Sequence, residues 1–373
     1  MTGSLINQSQ AETQPQAWLR SPSFDILFFA GPALLSSVLV LCFRTQMESF
    51  TTLPLWAWVS FVLLVDVAHV YATLFRTYLD REAIRKKSGI LFGIPVACWA
   101  VGSLLYSMNA LLFWRTLAYL AVFHFIRQQY GFVALYSRKD VGLATKFRRL
   151  DELCIYVATL YPLMYWHTNL PRNFNWFVEG DFVESLPAVF SDVFLFLYIG
   201  IAGLYILKEL FLFRHSGFFN IPKNLIVAST ALSWWIAIIS VNSDLSFTMV
   251  NVLSHGIPYM ALVWLYQQKH VQAAAEAPTS QEHGQRYNLC TRFLIKYAPA
   301  FVFFLVALAF LEEGLWDGLV WREHLSFFSM FAGLPQINDK TLLAILVPLL
   351  SLPQSTHYVL DGFIWRVKDH PVW

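Results

Sequence analysis

Long apolar runs separated by short polar segments make up most of the chain. A helix needs about 20 apolar residues to cross a bilayer. Stretches of that kind lie at 24–43, 54–75, 89–113, 115–136, 151–168, 187–207, 224–242, 247–266, 297–315 and 341–365. The pattern therefore predicts an all-α fold, a polytopic membrane helix bundle with about ten transmembrane helices.

Positive charges are distributed unevenly between the two sides of this bundle. If the N-terminus is inside, the inner segments carry 20 Lys and Arg, Lys208 and Lys223 among them, and the outer segments carry five. Cytoplasmic loops carry the excess of Lys and Arg, so both termini are predicted to be cytoplasmic. Residues 1–23 are expected to form a disordered cytoplasmic tail, because they lack the basic and then apolar order of a cleavable signal peptide.

The remainder, 24–373, is predicted to be a single transmembrane helical domain with a polar cytoplasmic linker at 267–296. Only 13% of the chain is charged and the net charge is +2, whereas a soluble domain is about 25% charged. We expect an integral membrane protein of the bacterial inner (cytoplasmic) membrane, with lipids as neighbours and no nucleic-acid partner. The 33 Phe, 16 Tyr and 14 Trp suit lipid-facing surfaces or a cavity for a large apolar ligand.

Four histidines lie inside apolar spans: His69, His124, His255 and His357. In the predicted topology their four helices run in the same direction, and each histidine falls in the middle or cytoplasmic half of its span. Ionisable side chains inside a bilayer are costly and mostly functional, and imidazole is the commonest metal ligand. The four together predict one buried metal site, although each alone would equally suit an interhelical hydrogen bond.

Two of these histidines have a carboxylate on the same helix face. Asp66 precedes His69 by three residues, and Asp361 follows His357 by four. A carboxylate beside a histidine fixes its tautomer around a metal, or binds the metal itself, since carboxylate and imidazole together suit non-haem iron. Asp66 and Asp361 are therefore candidates for catalytic roles.

Three further polar side chains accompany the histidines. Gln128 and Arg127 are predicted to share the face of His124, where Gln128 is a catalytic candidate that would hold the histidine or a ligand oxygen. Arg127 would either bind a carboxylate of the substrate or extend toward the headgroups, and Tyr358 is a candidate substrate contact. The other histidines fall in loops or at span ends and are predicted to be solvated: His167, His215, His270, His283, His324 and His370.

The run from His357 to Arg366 (HYVLDGFIWR) is similar to the final histidine-bearing segment of the bacterial bacteriorhodopsin-related (Brp/Blh-type) beta-carotene dioxygenases. The run from His124 to Gly131 (HFIRQQYG) is similar to an earlier segment of that family. Those proteins are polytopic and carry isolated intramembrane histidines. The resemblance implies oxidation of an apolar or polyene substrate at an iron bound by His69, His124, His255 and His357.

These observations lead to three hypotheses. The first is an integral-membrane oxygenase or oxidoreductase with non-haem iron (Fe²⁺), an apolar lipid, isoprenoid or carotenoid substrate from the bilayer, and an electron donor that the sequence does not identify. The second is a proton- or ion-coupled transporter that uses the His/Asp pairs, which would require broken helices, for which Gly256 and Pro258 are the candidates. The third is a haem-binding electron carrier. The first requires all four histidines to meet at one point.

Overall fold

The computed structural model describes residues 16–276 and 286–365, and these residues are helical with no strand. Eight of the described helices are long and apolar enough to cross a membrane, and a bent pair of helices adds a ninth candidate. In chain order we label α1 (Pro22–Cys42), α2 (Leu55–Arg76), α3 (Arg81–Met108), α4 (Ala110–Tyr136), α5 (Arg148–Thr168), α6 (Val189–Ser216), α7 (Ile221–Ser240), α8 (Asp244–Glu276), α9 (Leu289–Lys296), α10 (Ala298–Trp321), α11 (Lys340–Leu350) and α12 (Leu352–Ile364).

The predicted all-α fold is confirmed, and every predicted span falls on a helix that the structure describes. The last predicted span is the bent pair, since α11 and α12 meet at an angle of 45° around Ser351. The fifth predicted span is α5, a buried helix that is less apolar than the other spans and carries Asp151 and His167. Among the described residues, the helices that could cross a membrane thus number eight, or nine with the bent pair.

The helices divide into a core and a periphery. In the apolar part of α8, 72% of the residues are buried, whereas the corresponding share is 6% in α6 and 11% in α3. Helix α8 packs against α1 and α2, and α12 packs against α2, α3 and α4. The four helices that carry the intramembrane histidines, α2, α4, α8 and α12, therefore lie together in the interior of the bundle.

The prediction of a polar linker over residues 267–296 is wrong for most of that segment, which is helical. Helix α8 continues to Glu276, and α9 occupies another eight residues of the segment. Gln267 is fully buried, and its side-chain Nε2 donates to the carbonyl of Phe75 at 2.5 Å. Because this side-chain amide donates a hydrogen bond to a backbone carbonyl near the end of α2, α8 stays packed inside the bundle at Gln267. The remaining part of the linker, 277–285, lies outside the described residues.

The prediction of a disordered tail over residues 1–23 is wrong for residues 16–23, which the structure describes. Ala17 and Leu19 are buried against the bundle. The carboxylate of Asp25, near the start of α1, accepts the backbone N–H of Leu19 at 2.6 Å and that of Arg20 at 3.1 Å. These hydrogen bonds fix the segment before the helix, whereas residues 1–15 lie outside the described part of the chain.

Breaks in the helices occur at places other than the expected Gly256 and Pro258. Helix α8 runs through both residues without interruption. Irregular geometry occurs instead at the bend around Ser351, at Lys87 in α3 and in π-helical segments of α1, α2, α7 and α10. The π-helix of α2, Trp58–Val67, is the longest of these segments. Such wider turns often occur at functional sites, and this one ends two residues before His69.

Candidate metal centre

The four histidines of the apolar spans meet at one point, as the predicted metal site requires. One ring nitrogen from each lies within 4.8 Å of the other three. The ring centroids of His124 and His357 are 4.4 Å apart, and those of His69 and His357 are 5.1 Å apart. All four side chains are buried. Four helices that are distant in the sequence therefore bring their imidazoles into direct contact.

A glycine allows α8 to approach α2 at this point. A Cβ atom on Gly256 would lie 2.7 Å from Cγ1 of Val65 and 3.1 Å from its carbonyl oxygen. Only a residue without a side chain permits that contact. As a result, Nε2 of His255 lies 3.0 Å from Nε2 of His69. The glycine predicted as a helix break serves as a close-packing position.

Hydrogen bonds define which nitrogen of His69 carries the proton. Its Nδ1 lies 3.2 Å from the carbonyl oxygen of Val65 and 3.8 Å from a carboxylate oxygen of Asp66. A carbonyl oxygen only accepts hydrogen bonds, so Nδ1 is the protonated nitrogen. The lone pair of Nε2 therefore points at the centre of the cluster.

A chain of hydrogen bonds defines the tautomer of His357 in the same way. The hydroxyl of Tyr259 donates to Oδ1 of Asp361 at 2.7 Å, so its oxygen accepts from the hydroxyl of Thr73 at 3.0 Å. The Thr73 oxygen in turn accepts from Nδ1 of His357 at 2.7 Å. In this arrangement each hydroxyl and the Nδ1–H of His357 donates once, and Nε2 of His357 keeps a free lone pair.

Three ring nitrogens of the cluster have no hydrogen-bond partner among the described residues. Within the described residues, Nε2 of His124, Nε2 of His357 and Nδ1 of His255 are buried without a hydrogen bond. Nδ1 of His124 lies 3.8 Å from Asp361, and the ring of Phe125 stacks on His255 at 3.5 Å. Burying unpaired polar atoms costs about 1–3 kcal/mol each. A histidine that binds a metal usually donates the N–H of its other ring nitrogen to an oxygen atom. Several rings of this cluster have such an oxygen atom on one side and an unpartnered nitrogen on the other, which suits a metal ion.

Most other residues predicted for the site lie around the histidines. Asp66 lies beside His69, and Asp361 lies between His124 and His357, 3.8 Å from a ring nitrogen of each. The Tyr358 ring is centred 5.2 Å from that of His124. Gln128 approaches from α4, where its Nε2 donates to the carbonyl of His255 at 3.2 Å and its Oε1 is buried without a partner.

Arg127 does not join this group. Its side chain is exposed on α4, donates to the hydroxyl of Tyr156 and lies 4.8 Å above the ring of Tyr130. The prediction that Arg127 shares the face of His124 was therefore wrong, because the helix turns it toward α5 while His124 points into the bundle.

Two residues of the site, Thr73 and Tyr259, were not predicted as site residues from the sequence. Both were detectable, since Thr73 follows His69 by four residues and Tyr259 follows His255 by four. Residues at that spacing share a helix face. The same rule that identified the carboxylates thus extends to the two hydroxyl groups that connect His357 to Asp361.

The predicted solvation of His167 was wrong. It is buried at the end of α5, where its Nδ1 lies 2.7 Å from the carbonyl of Leu163 and its Nε2 lies 2.8 Å from the Tyr119 hydroxyl. The loop after α5 folds back and places Phe182 against the ring. Both nitrogens are satisfied, so His167 is a structural histidine.

A cavity of about 960 Å³ lies next to the histidine cluster, although none of the four histidines lines it. Its walls include the connection between α5 and α6 and many aromatic side chains. Asp66, Phe125 and Tyr358 line it, and each of the three also contacts a histidine of the cluster. The cavity therefore ends on the residues that surround the candidate metal centre.

No family model, no curated protein and no solved structure matches this chain. The geometry of the four histidines is therefore the basis for assigning a function.

Proposed function

We propose that the protein is an integral-membrane oxygenase or oxidoreductase whose non-haem iron is bound by the four histidines and oxidises an apolar lipid, isoprenoid or carotenoid substrate. The observation that carries this proposal is the convergence of four buried imidazoles from four helices, with ring nitrogens that lack any protein partner.

The donor set fits a transition metal. Imidazole suits Zn, Cu, Fe and Ni, and a combination with nearby carboxylates is typical of non-haem iron. Asp66 and Asp361 supply such carboxylates next to three of the rings. When bound, iron would supply the activation of O₂. The protein would hold the rings in the required tautomers through Val65, Thr73 and the carboxylates.

The cavity supports an apolar substrate beside this centre. Ligand sites usually measure about 300–1,000 Å³, and this cavity has a similar volume. Aromatic side chains such as Phe125, Trp166 and Tyr358 line it together with nine carboxylates, so an apolar substrate would lie against the aromatic rings. A substrate in it would contact Tyr358 and Phe125 at the end nearest the histidines. Gln128 and Asp361 would hold or move protons on the other side of the rings.

We place the protein in a bacterial inner membrane with ten crossings and both termini in the cytoplasm. Helix α5 has 21 residues, which gives a length of about 31 Å at 1.5 Å per residue, enough for the hydrocarbon core. Counting α5 and the bent pair gives ten crossings. The distribution of Lys and Arg supports the orientation, and in that orientation the cavity opens outside.

The other two hypotheses fit less well. A haem would need a flat slot between its axial histidines, whereas these four rings are in contact at centroid distances of 4.4–5.1 Å. The transporter hypothesis is favoured by the bend between α11 and α12. It gains no support from α8, which crosses the site unbroken.

The experiment is iron loading followed by an oxygen-18 assay. Full-length protein is loaded with Fe²⁺ without oxygen, desalted, and then exposed to ¹⁸O₂ with carotenoid, isoprenoid and fatty-acyl substrates. We expect labelled product from wild type and from His215→Ala, an exposed position on α6, but none from His124→Ala. Failure of folded wild-type protein to retain iron would contradict the proposal.

A further inference from the structure

The cavity above the histidines is strongly acidic. Nine of its lining residues are Asp or Glu, and among the described lining residues Arg172 is the only Lys or Arg. The Arg172 guanidinium is already engaged, since it donates to the carbonyls of Ile238 at 2.9 Å and Val241 at 2.6 Å. A cleft lined by one sign of charge concentrates counter-ions.

Most of these carboxylates have no positive partner of their own. Glu48 pairs with Arg44 at 3.2 Å. In the described part of the chain, no Lys, Arg or His nitrogen lies within 4.0 Å of Glu179, Glu184 or Glu313. Glu179 and Glu184 are exposed, and Glu313 is partly buried, so carboxyl groups without a positive partner extend from the exposed mouth into the cavity, and the exposed ones carry uncompensated negative charge.

Asp317 gives independent evidence for a cation. Its side chain lines the cavity and is 97% buried, since 3% of the residue is exposed. One carboxylate oxygen accepts the backbone N–H of His324 at 2.7 Å, whereas the other has no partner among the described residues. A buried carboxylate oxygen without a donor is costly, and a passing cation would satisfy it.

The acidic wall reaches the histidine cluster through Asp66. This residue lines the cavity, and its carboxylate lies 3.8 Å from Nδ1 of His69. The neighbouring lining residues Phe125 and Tyr358 cover His255 and His124 with aromatic rings. Asp66 is therefore the polar connection between the cavity and the candidate centre.

We propose that this acidic cavity is the route by which a divalent metal cation reaches the four histidines, with Asp66 as the last carboxylate on the way. The inference rests on the proposed metal centre. Uncompensated charge along the walls would raise the local cation concentration and the rate of metal entry.

The test is the rate of metal loading. Metal-free, full-length protein in detergent is mixed with Fe²⁺ without oxygen, the reaction is quenched with chelator at increasing times, and bound iron is counted. We expect Glu313→Gln and the double variant Glu179→Gln/Glu184→Gln to load at least about tenfold more slowly than wild type at low salt, with the same final stoichiometry. In about 1 M salt, where screening acts within about 3 Å, the difference should largely disappear.

The matched control is Asp192→Asn, an exposed carboxylate on α6 that does not line the cavity; it should load like wild type. Equal loading rates for wild type and both cavity variants would overturn the route while leaving the metal centre intact. Wild type that holds no iron even at equilibrium would overturn the centre, and the route with it.

Discussion

Two polar clusters are buried in this bundle on different sets of helices. The first, which we call the ion cluster, comprises Asp140, Asp151, Lys208, Glu209 and Lys223 around α5, α6 and α7. Lys208 contacts Asp151 and lies 2.5 Å from Glu209, and Lys223 lies 3.0 Å from Glu209 and 3.5 Å from both aspartates. Two lysines thus face three carboxylates within hydrogen-bonding or ion-pairing distance.

The second cluster consists of the four histidines and has no such complement. Its rings place nitrogen atoms opposite one another, and Nε2 of His255 lies 3.0 Å from Nε2 of His69. Several of its buried nitrogens have no protein partner. The contrast indicates that the charges of the ion cluster balance one another within the protein, whereas the unpartnered nitrogens of the histidine cluster would be satisfied by the metal ion that we propose. A substitution in the ion cluster should therefore lower the stability of the protein, whereas a substitution in the histidine cluster should weaken metal binding.

The largest expected effect is on stability, from Lys223→Met in the ion cluster. Removing one partner of a buried ion pair costs about 3–5 kcal/mol, because the remaining charges are left uncompensated. We expect a loss of that size in the free energy of unfolding. The measurement is reversible unfolding in mixed micelles, and the folded fraction should keep its full metal content.

Lys146→Met is the control for this prediction, since Lys146 is exposed between α4 and α5; it should leave the free energy of unfolding unchanged. Unchanged stability in Lys223→Met, or loss of metal from its folded fraction, would remove the distinction between the two clusters.

The next effect is on metal affinity, from Thr73→Val. This substitution keeps the shape of the side chain but interrupts the hydrogen bonds from His357 to Tyr259 and Asp361. Loss of a partner behind a ligating histidine reduces metal affinity about 10–100-fold, and we expect that loss in a competition titration with a chelator. Thr356→Val is the control, because the Thr356 hydroxyl is buried next to His357 but makes no hydrogen bond in the described structure. Equal affinities for the two variants would show that the Thr73 chain does not orient the ring.

A smaller effect is expected from Gly256→Ala. The new methyl group would lie 2.7 Å from Val65, so α2 and α8 must separate and move His69 away from His255. We expect metal affinity to fall about tenfold, equivalent to about 1.4 kcal/mol, a typical consequence of overpacking. Gly200→Ala on α6, where a Cβ meets no atom within 4 Å, should bind metal like wild type. If Gly256→Ala also does so, the close approach of α2 and α8 is not needed for the site.

The sequence was sufficient to predict the helices and to single out the four histidines as one candidate site, because apolar length and ionisable residues inside apolar spans are local signals, but it could not show that the histidines converge. It failed where the outcome depends on a distant partner. Lys208 and Lys223 were counted as charges of the inner segments, but Asp140 and Asp151 from other segments bury them. Arg127 was placed with His124 because spacing on one helix does not show which neighbouring helix attracts each side chain.

The most direct test is the metal content of detergent-purified, full-length protein, measured by elemental mass spectrometry for wild type, His357→Ala and His167→Ala. Both substituted histidines are buried, but the His167 nitrogens are satisfied within the protein and Nε2 of His357 is not. We predict one or two iron atoms per chain in wild type and in folded His167→Ala, and none in His357→Ala. Folded wild type without stoichiometric metal, or equal metal in His357→Ala, would contradict a metal centre at the four histidines.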